Sequence, residues 1–282
     1  MTDIDQHTIT QAVLAAQQRS PSPRLARVMA SLVRHLHDFA REVELTEAEW
    51  FEGIRFLTRA GHITDDKRQE FILLSDVLGL STLVTAQNNA KPHGCTEATV
   101  FGPFFVEGAP RVELGADIAN GAKGLPCDVS GQVRGLDGQP VAGALIDVWQ
   151  SDEDGLYDVQ HAGDGPPQAR AQLASDETGR YSFRSILANC YPIPHDGPVG
   201  DLLRGLGRHP WRPAHLHFKI EAPGYERLIT HVFRDDDPYL ESDAVFGVRS
   251  SLLAHWVRQQ GGAGESYSLQ YDFVLNPVGE AA

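Results

Sequence analysis

Two histidines separated by one residue, His215 and His217, lie in the run Trp-Arg-Pro-Ala-His-Leu-His-Phe. The alternation of this run predicts a strand, and side chains two apart on a strand leave from the same face. Two imidazoles side by side suit a transition metal. Three sets of residues could complete the site. The first adds Glu221, which gives two histidines and a carboxylate, the triad of iron(II) oxygenases and a pattern close to that of cupin barrels. Glu221 is followed by Ala-Pro-Gly, which reads as a turn, so the strand is expected to end there. The second set adds phenols: Tyr157, after the turn Asp152-Glu-Asp-Gly155, and Tyr191, which opens Tyr-Pro-Ile-Pro. A phenol ionises near neutral pH only beside strong positive charge, and iron(III) supplies it. The third set draws on His195, His209 and His231, and three histidines with water point to a zinc hydrolase. The residues by themselves leave all three open.

The elements that must hold these groups fall into two textures. From about Pro21 to Leu83 the apolar residues recur every three or four positions, as in Leu25, Val28, Met29, Leu32, Leu36, Phe39 and Val43. Thr46 and Glu49 form a capping box, so a second helix is expected to start near Glu47. A third helical pattern runs from Asp65 to about Leu83, with Phe71, Leu74, Leu78 and Leu83 expected to point inward and Gly61 and Gly79 as possible breaks. After Cys95 short alternating runs and turns take over. Asp137-Gly138 is a hairpin signal between Val129–Val133 and Ala144–Trp149. Asp176–Gly179 precedes Tyr181–Ile186, and Tyr267–Val274 reads as a last strand. The fold expected is mixed α and β: a helical domain over residues 1–100, then an antiparallel β-sandwich over residues 101–282. The Gly- and Pro-rich stretch from Asn189 to Pro213 is long for a loop, and such loops tend to carry function.

Composition narrows the partners. The net charge of −14 disfavours nucleic acid, which needs clustered Lys and Arg. There is no apolar run long enough for a membrane span. The polar start Met-Thr-Asp-Ile-Asp lacks the features of a secretory signal, so a cytoplasmic location is expected. Cys95, Cys127 and Cys190 form no CxxC pair and read as free thiols.

A wider set of motifs then resembles one family. It comprises Gly102-Pro-Phe-Phe-Val-Glu-Gly-Ala-Pro110, Gly143-Ala-Leu-Ile-Asp-Val-Trp-Gln150, Tyr181-Ser-Phe-Arg, Tyr191-Pro-Ile-Pro, and Gly207-Arg-His-Pro-Trp-Arg-Pro-Ala-His-Leu-His-Phe218. In this order they resemble the intradiol ring-cleaving dioxygenases. Phe71–Ser81, Val100–Phe105, Thr230-His-Val-Phe233 and Val245-Phe-Gly-Val248 bring the chain nearest to the hydroxyquinol 1,2-dioxygenases; catechol enzymes more often carry glutamine where His231 stands.

The resemblance implies one Fe(3+) per subunit, held by Tyr157, Tyr191, His215 and His217, with Glu221 a bystander. It implies a substrate pocket lined by Leu73, Asp76, Val100, Phe101, Gly102, Pro103, Phe104, Ile193, Pro194, Arg212 and His231, with Tyr191 and Arg212 catalytic. Asp76 would accept a hydrogen bond from a third ring hydroxyl, and Arg212 would face the charge that develops on the ring. The implied reaction takes hydroxyquinol and dioxygen to 3-hydroxy-cis,cis-muconate, with catechol or chlorocatechol as alternative substrates. The resemblance further implies a homodimer through the N-terminal helices, with a lipid held between them in some members. From other classes, a cupin-like iron(II) enzyme and a non-catalytic transthyretin-like sandwich stand as alternatives.

Overall fold

The computed structural model describes residues 4–65, 68–161, 165–261 and 264–279. The chain divides into two compact units, residues 1–59 and residues 60–282.

The first unit is helical. α1 (Ile9–Gln17) was not apparent from periodicity; it is tied to α2 (Pro23–Glu42) where Thr10 Oγ1 meets His37 Nδ1 at 2.9 Å and Arg41 at 2.7 Å. Ser22 caps α2 and Pro23 occupies its first turn, where a missing N–H costs nothing. α3 (Glu47–Ile63) starts where the capping box places it: Glu49 accepts from the Thr46 N–H and hydroxyl, and Thr46 Oγ1 accepts from the Glu49 N–H. The apolar row of α2, from Leu25 through Val28, Leu32, Leu36 and Phe39, is exposed along the single chain.

In the second unit the expected helix from Asp65 to Leu83, apart from residues 66–67 outside the described ones, is two helices: α4 (Glu70–Val77) and α5 (Leu80–Asn88). Gly79 separates them with φ of 73°, a left-handed conformation that glycine adopts without strain. The inward face also differs from expectation. Leu73, Asp76 and Val77 are buried with Glu70, whereas Phe71, Leu78 and Leu83 are exposed. Phe71 and Leu78 both precede that break; the inward face of α4 is partly polar, with Glu70 and Asp76 on it, so an apolar stripe does not mark it. The buried face of α4 is anchored by polar contacts. Glu70 accepts from the Val199 N–H at 3.0 Å, and Arg208 donates to the carbonyls of Val77 and Ala244.

Two five-stranded sheets form the sandwich. In the first, β1 (Pro126–Gly135) is central. β4 (Arg180–Ile186) pairs antiparallel along one edge, and β11 (Gly264–Gln270) and β12 (Phe273–Leu275) pair parallel along the other, with β10 (Trp256–Gly261) outside β11. The second has the order β3 (Arg170–Ala174), β2 (Leu145–Trp149), β7 (His215–Glu221), β8 (Leu228–Arg234), β9 (Leu253–Ala254). The sheets are therefore mixed rather than purely antiparallel. A two-stranded ribbon, β5 (Tyr191–Pro192) with β6 (Trp211–Arg212), and α6 (Pro198–Gly205) lie in the long Gly/Pro-rich stretch.

Two local expectations change. The Asp137-Gly138 turn forms, with the Gly138 N–H donating to the Gly135 carbonyl, but the strands it joins enter opposite sheets. The expected strand Tyr267–Val274 is interrupted where Asp272 Oδ1 accepts the Gln132 N–H in place of a backbone partner. Between the sheets Val129, Val133, Ile146, Val148, Phe183, Phe218 and Phe273 pack as one core. On β7, Leu216, Phe218 and Ile220 face that core, while His215, His217 and Lys219 alternate to the other face of the sheet. Each buried apolar side chain of this kind contributes about 1.5–3 kcal/mol, and the alternation uses that gain to fix where the histidines point.

Candidate metal centre

Strand register sets the floor of the site. Trp149, His217 and His231 stand directly opposite one another across β2, β7 and β8. Trp149 stacks on the His217 ring at 4.7 Å between centroids, and His231 Nε2 meets His217 Nδ1 at 2.8 Å. His215 is fixed through its Nδ1, which donates to the Pro213 carbonyl at 2.7 Å. The outer nitrogens of the pair then face each other, His215 Nε2 to His217 Nε2 at 3.2 Å.

The phenols arrive from above. Asp152 accepts the N–H groups of Asp154 and Leu156, closing the turn that delivers Tyr157. Tyr157 is fully buried, stacked on Phe104 at 4.4 Å, and held by Gln160 at its backbone N–H. Tyr191 sits opposite Arg212 in the β5–β6 ribbon. The Tyr157 hydroxyl lies 2.8 Å from His217 Nε2 and 3.1 Å from the Tyr191 hydroxyl. The structure thus brings together Tyr157, Tyr191, His215 and His217, with their donor atoms converging on one point.

The electrostatics prepare these groups for a cation. Burial, with the Arg212 charge behind it, pushes His215 down to about 3. Burial, then His215 and Arg212, push His217 well below the usual histidine range. Both rings are therefore neutral, with lone pairs free to bind a metal. Burial and then the Tyr191 phenol hold Tyr157 well above the usual phenol range, so only a multivalent cation in the cluster could ionise it at neutral pH. Two ligands on one ion at about 2.0 Å stand roughly 2.8–3.5 Å apart, the spacing these donors already have. Among the described residues no carboxylate joins them: Glu221 ends β7 and pairs with Lys219 at 2.9 Å. Two potential phenolates and two imidazoles make a hard, anionic set suited to iron(III).

His215, His217 and His231 also form a histidine cluster. His231, however, addresses the nitrogen of His217 turned away from the phenols. His195, exposed, bonds the Ile193 carbonyl, and His209 bonds Ser242, so neither joins the centre.

Several of the other expected site residues touch these groups. Gly102 is pressed against His217; a Cβ there would stand 3.1 Å from its Cε1, with φ of 77° besides. Phe104 stacks on Tyr157, and Phe101 packs edge-on to Trp149. Val100 and Ile193 are buried, Pro194 is half-buried and Pro103 exposed, and Leu73 and Asp76 lie on the buried face of α4. Burial raises the Asp76 carboxyl, against the pull of Ser81 and Arg212. Arg212 is held by Asp243 at 3.1 and 3.3 Å, and its Nη1 lies 3.3 Å from His215 Nε2. Burial works against the Arg212 charge, but Asp243 and the two phenols more than offset it.

Four contributors were not singled out in the sequence. Asp243 holds Arg212, Thr99 meets His231, and Arg170 grips Asp158 while donating to the Phe104 carbonyl at 2.8 Å. All four act through tertiary contacts, and no local pattern marks them.

Residues 100–277 match the family described as dioxygenase, and residues 22–96 match the catechol dioxygenase N terminus. The chain is 64% identical over 278 residues to a 6-chlorohydroxyquinol 1,2-dioxygenase of Cupriavidus pinatubonensis, covering 99% of this chain and 100% of that one. It is 52% identical over 279 residues to a hydroxyquinol 1,2-dioxygenase of Nocardioides simplex, covering 96% and 95%. Among solved structures, a hydroxyquinol 1,2-dioxygenase from Pseudomonas putida superposes with a TM-score of 0.91 at 47% identity, covering 97% of this chain and 99% of that one.

Proposed function

The chain belongs to the intradiol ring-cleaving dioxygenases, and from that premise we propose that it cleaves hydroxyquinol between its two adjacent hydroxyl-bearing carbons. Both atoms of dioxygen enter the product, 3-hydroxy-cis,cis-muconate. Relatives that act on hydroxyquinol and 6-chlorohydroxyquinol support this substrate class. The observation that carries the reading is the convergence of two buried phenols on two neutral imidazoles. Tyr157, Tyr191, His215 and His217 would hold iron(III). When bound, the ion supplies Lewis acidity that draws electron density from the substrate oxygens and opens the ring carbon to dioxygen.

The protein's own groups do the rest. Tyr191 would take a proton from a substrate hydroxyl; it sits on a two-residue strand and is slightly less buried than Tyr157. Arg212, immobilised by Asp243, offers a fixed cation for negative charge developing on the ring. Asp76 would accept from the third hydroxyl, the group catechol lacks. A site built to bond a hydroxyl rejects analogues without it. Phe101, Phe104 and the flanking Val100, Ile193 and Leu73 exclude water from the ring.

Residues 101–282 would then form the catalytic part, and residues 1–100 the part that pairs two copies. The exposed apolar row on α2 supports a homodimer, and a face of this kind suits a lipid chain as well. No single helix among the described residues is long and apolar enough to cross a membrane.

Purified iron-loaded protein is expected to be wine-red from phenolate-to-iron charge transfer. It should turn over hydroxyquinol with kcat/KM about 10-fold or more above catechol. A colourless zinc form with full activity overturns the phenolate site; equal turnover of both substrates overturns the substrate choice alone.

A further inference from the structure

His217 and His215 are steadied differently. The Nδ1 of His215 donates to a backbone carbonyl, that of Pro213. The Nδ1 of His217 meets a side chain, His231 Nε2, at 2.8 Å, and His231 Nδ1 in turn lies 3.1 Å from Thr99 Oγ1. His231 is fully buried, and its two ring nitrogens are both engaged by these contacts.

A neutral imidazole carries one proton. If Nε2 of His217 gives its lone pair to a metal, its proton stands on Nδ1, and His231 Nε2 must accept. The His231 proton then stands on Nδ1 and goes to the Thr99 hydroxyl oxygen. The direction of every bond in the chain follows from the first. Cross-strand register aligns the partners, since His217 and His231 are opposite residues of β7 and β8. Thr99 is fixed by its own backbone N–H, which donates to the Ile229 carbonyl two residues before His231 on β8.

We propose that His231 and Thr99 form an outer hydrogen-bond relay that fixes the ring orientation and donor nitrogen of His217, which makes His231 a positioning residue and not a substrate contact. The inference rests on His217 as a metal ligand. Such outer partners raise the basicity of the ligand ring, and losing one typically costs 10–100-fold in metal affinity.

The test uses the full-length iron-loaded protein and three variants, with iron retention against a chelator, the position of the charge-transfer band, and KM for hydroxyquinol as readouts. His231→Leu is expected to release iron about 10–100-fold more readily and to shift the band, while KM of the iron-loaded fraction stays within about 3-fold. His231→Gln, whose amide oxygen can accept from His217, is expected to restore retention to within about 3-fold of wild type. If the Leu variant does not fold, Thr99→Val carries the test. Retention weakened about 3-fold or more supports the relay. Wild-type retention in either His231→Leu or Thr99→Val overturns it, as does a KM raised 10-fold with iron held normally. Wild-type protein that takes up no iron overturns the underlying site instead.

Discussion

Tyr157 and Tyr191 meet at 3.1 Å, yet their surroundings have opposite characters. Tyr157 follows a tight turn, lies against Phe104, and is followed by Asp158, which the buried Arg170 grips with two nitrogens. Tyr191 sits on a two-residue strand opposite Arg212, whose charge is balanced by Asp243. Each half has a buried guanidinium–carboxylate pair. On the Tyr157 side the pair secures backbone, with Arg170 donating to the Phe104 carbonyl. On the Tyr191 side Arg212 reaches His215 Nε2 at 3.3 Å. Similar chemistry thus serves anchoring in one half and charge stabilisation in the other.

The largest test of this contrast replaces each phenol. Tyr191→Phe is expected to keep iron and a weakened visible band while kcat falls about 10²–10⁴-fold, the usual worth of a proton acceptor. Tyr157→Phe is expected to lose iron itself. Iron per chain and turnover, measured side by side, decide it; identical losses in the two variants would erase the distinction.

The ion pairs give the next test. Arg212→Ala is expected to lower kcat about 10²–10³-fold, the range seen for loss of one preorganised electrostatic group. Asp158→Asn leaves Arg170 buried with a weakened partner, and breaking a buried pair costs about 3–5 kcal/mol. Urea unfolding is expected to show that cost, with near-normal turnover per folded molecule. A stable Asp158→Asn protein with poor turnover would reverse the assignment.

The smallest effect concerns Asp76. Burial raises its carboxyl above the unfolded value, so the fold favours its neutral form. Its contribution to stability is present below the ordinary carboxylate pKa and is lost as pH rises through the raised folded value. Asp76→Asn is therefore expected to melt about 1–3 °C higher at pH 7, with the gain vanishing below about pH 4. The same variant is expected to lose preference for hydroxyquinol over catechol, read as the ratio of kcat/KM.

Local chemistry in this chain was legible, and long-range pairing much less so. The Thr46–Glu49 capping box and the alternation through His215 and His217 each act within a few residues, and each is seen as read; the Asp137-Gly138 turn forms too, though not as a hairpin between the strands expected. The turn could not say that its two strands enter different sheets, because that depends on partners far along the chain. An apolar stripe starting at Phe71 marked the exposed side of α4, because the buried face of that helix carries the polar Glu70 and Asp76. Tyr157 and Tyr191 stood as one of three open ligand sets, and only the resemblance selected them. Asp243, Arg170, Asp158 and Thr99 escaped both, being ordinary residues made important by what they touch.

Gly102 sets a limit on how this pocket can be redesigned. Its missing side chain is the clearance above the His217 ring, and its backbone angle excludes a replacement even where the ring could yield. A mutational library aimed at bulkier or differently halogenated rings therefore gains nothing at position 102. Position 101 is the more open target: Phe101 is partly exposed and reaches His217 only through Trp149.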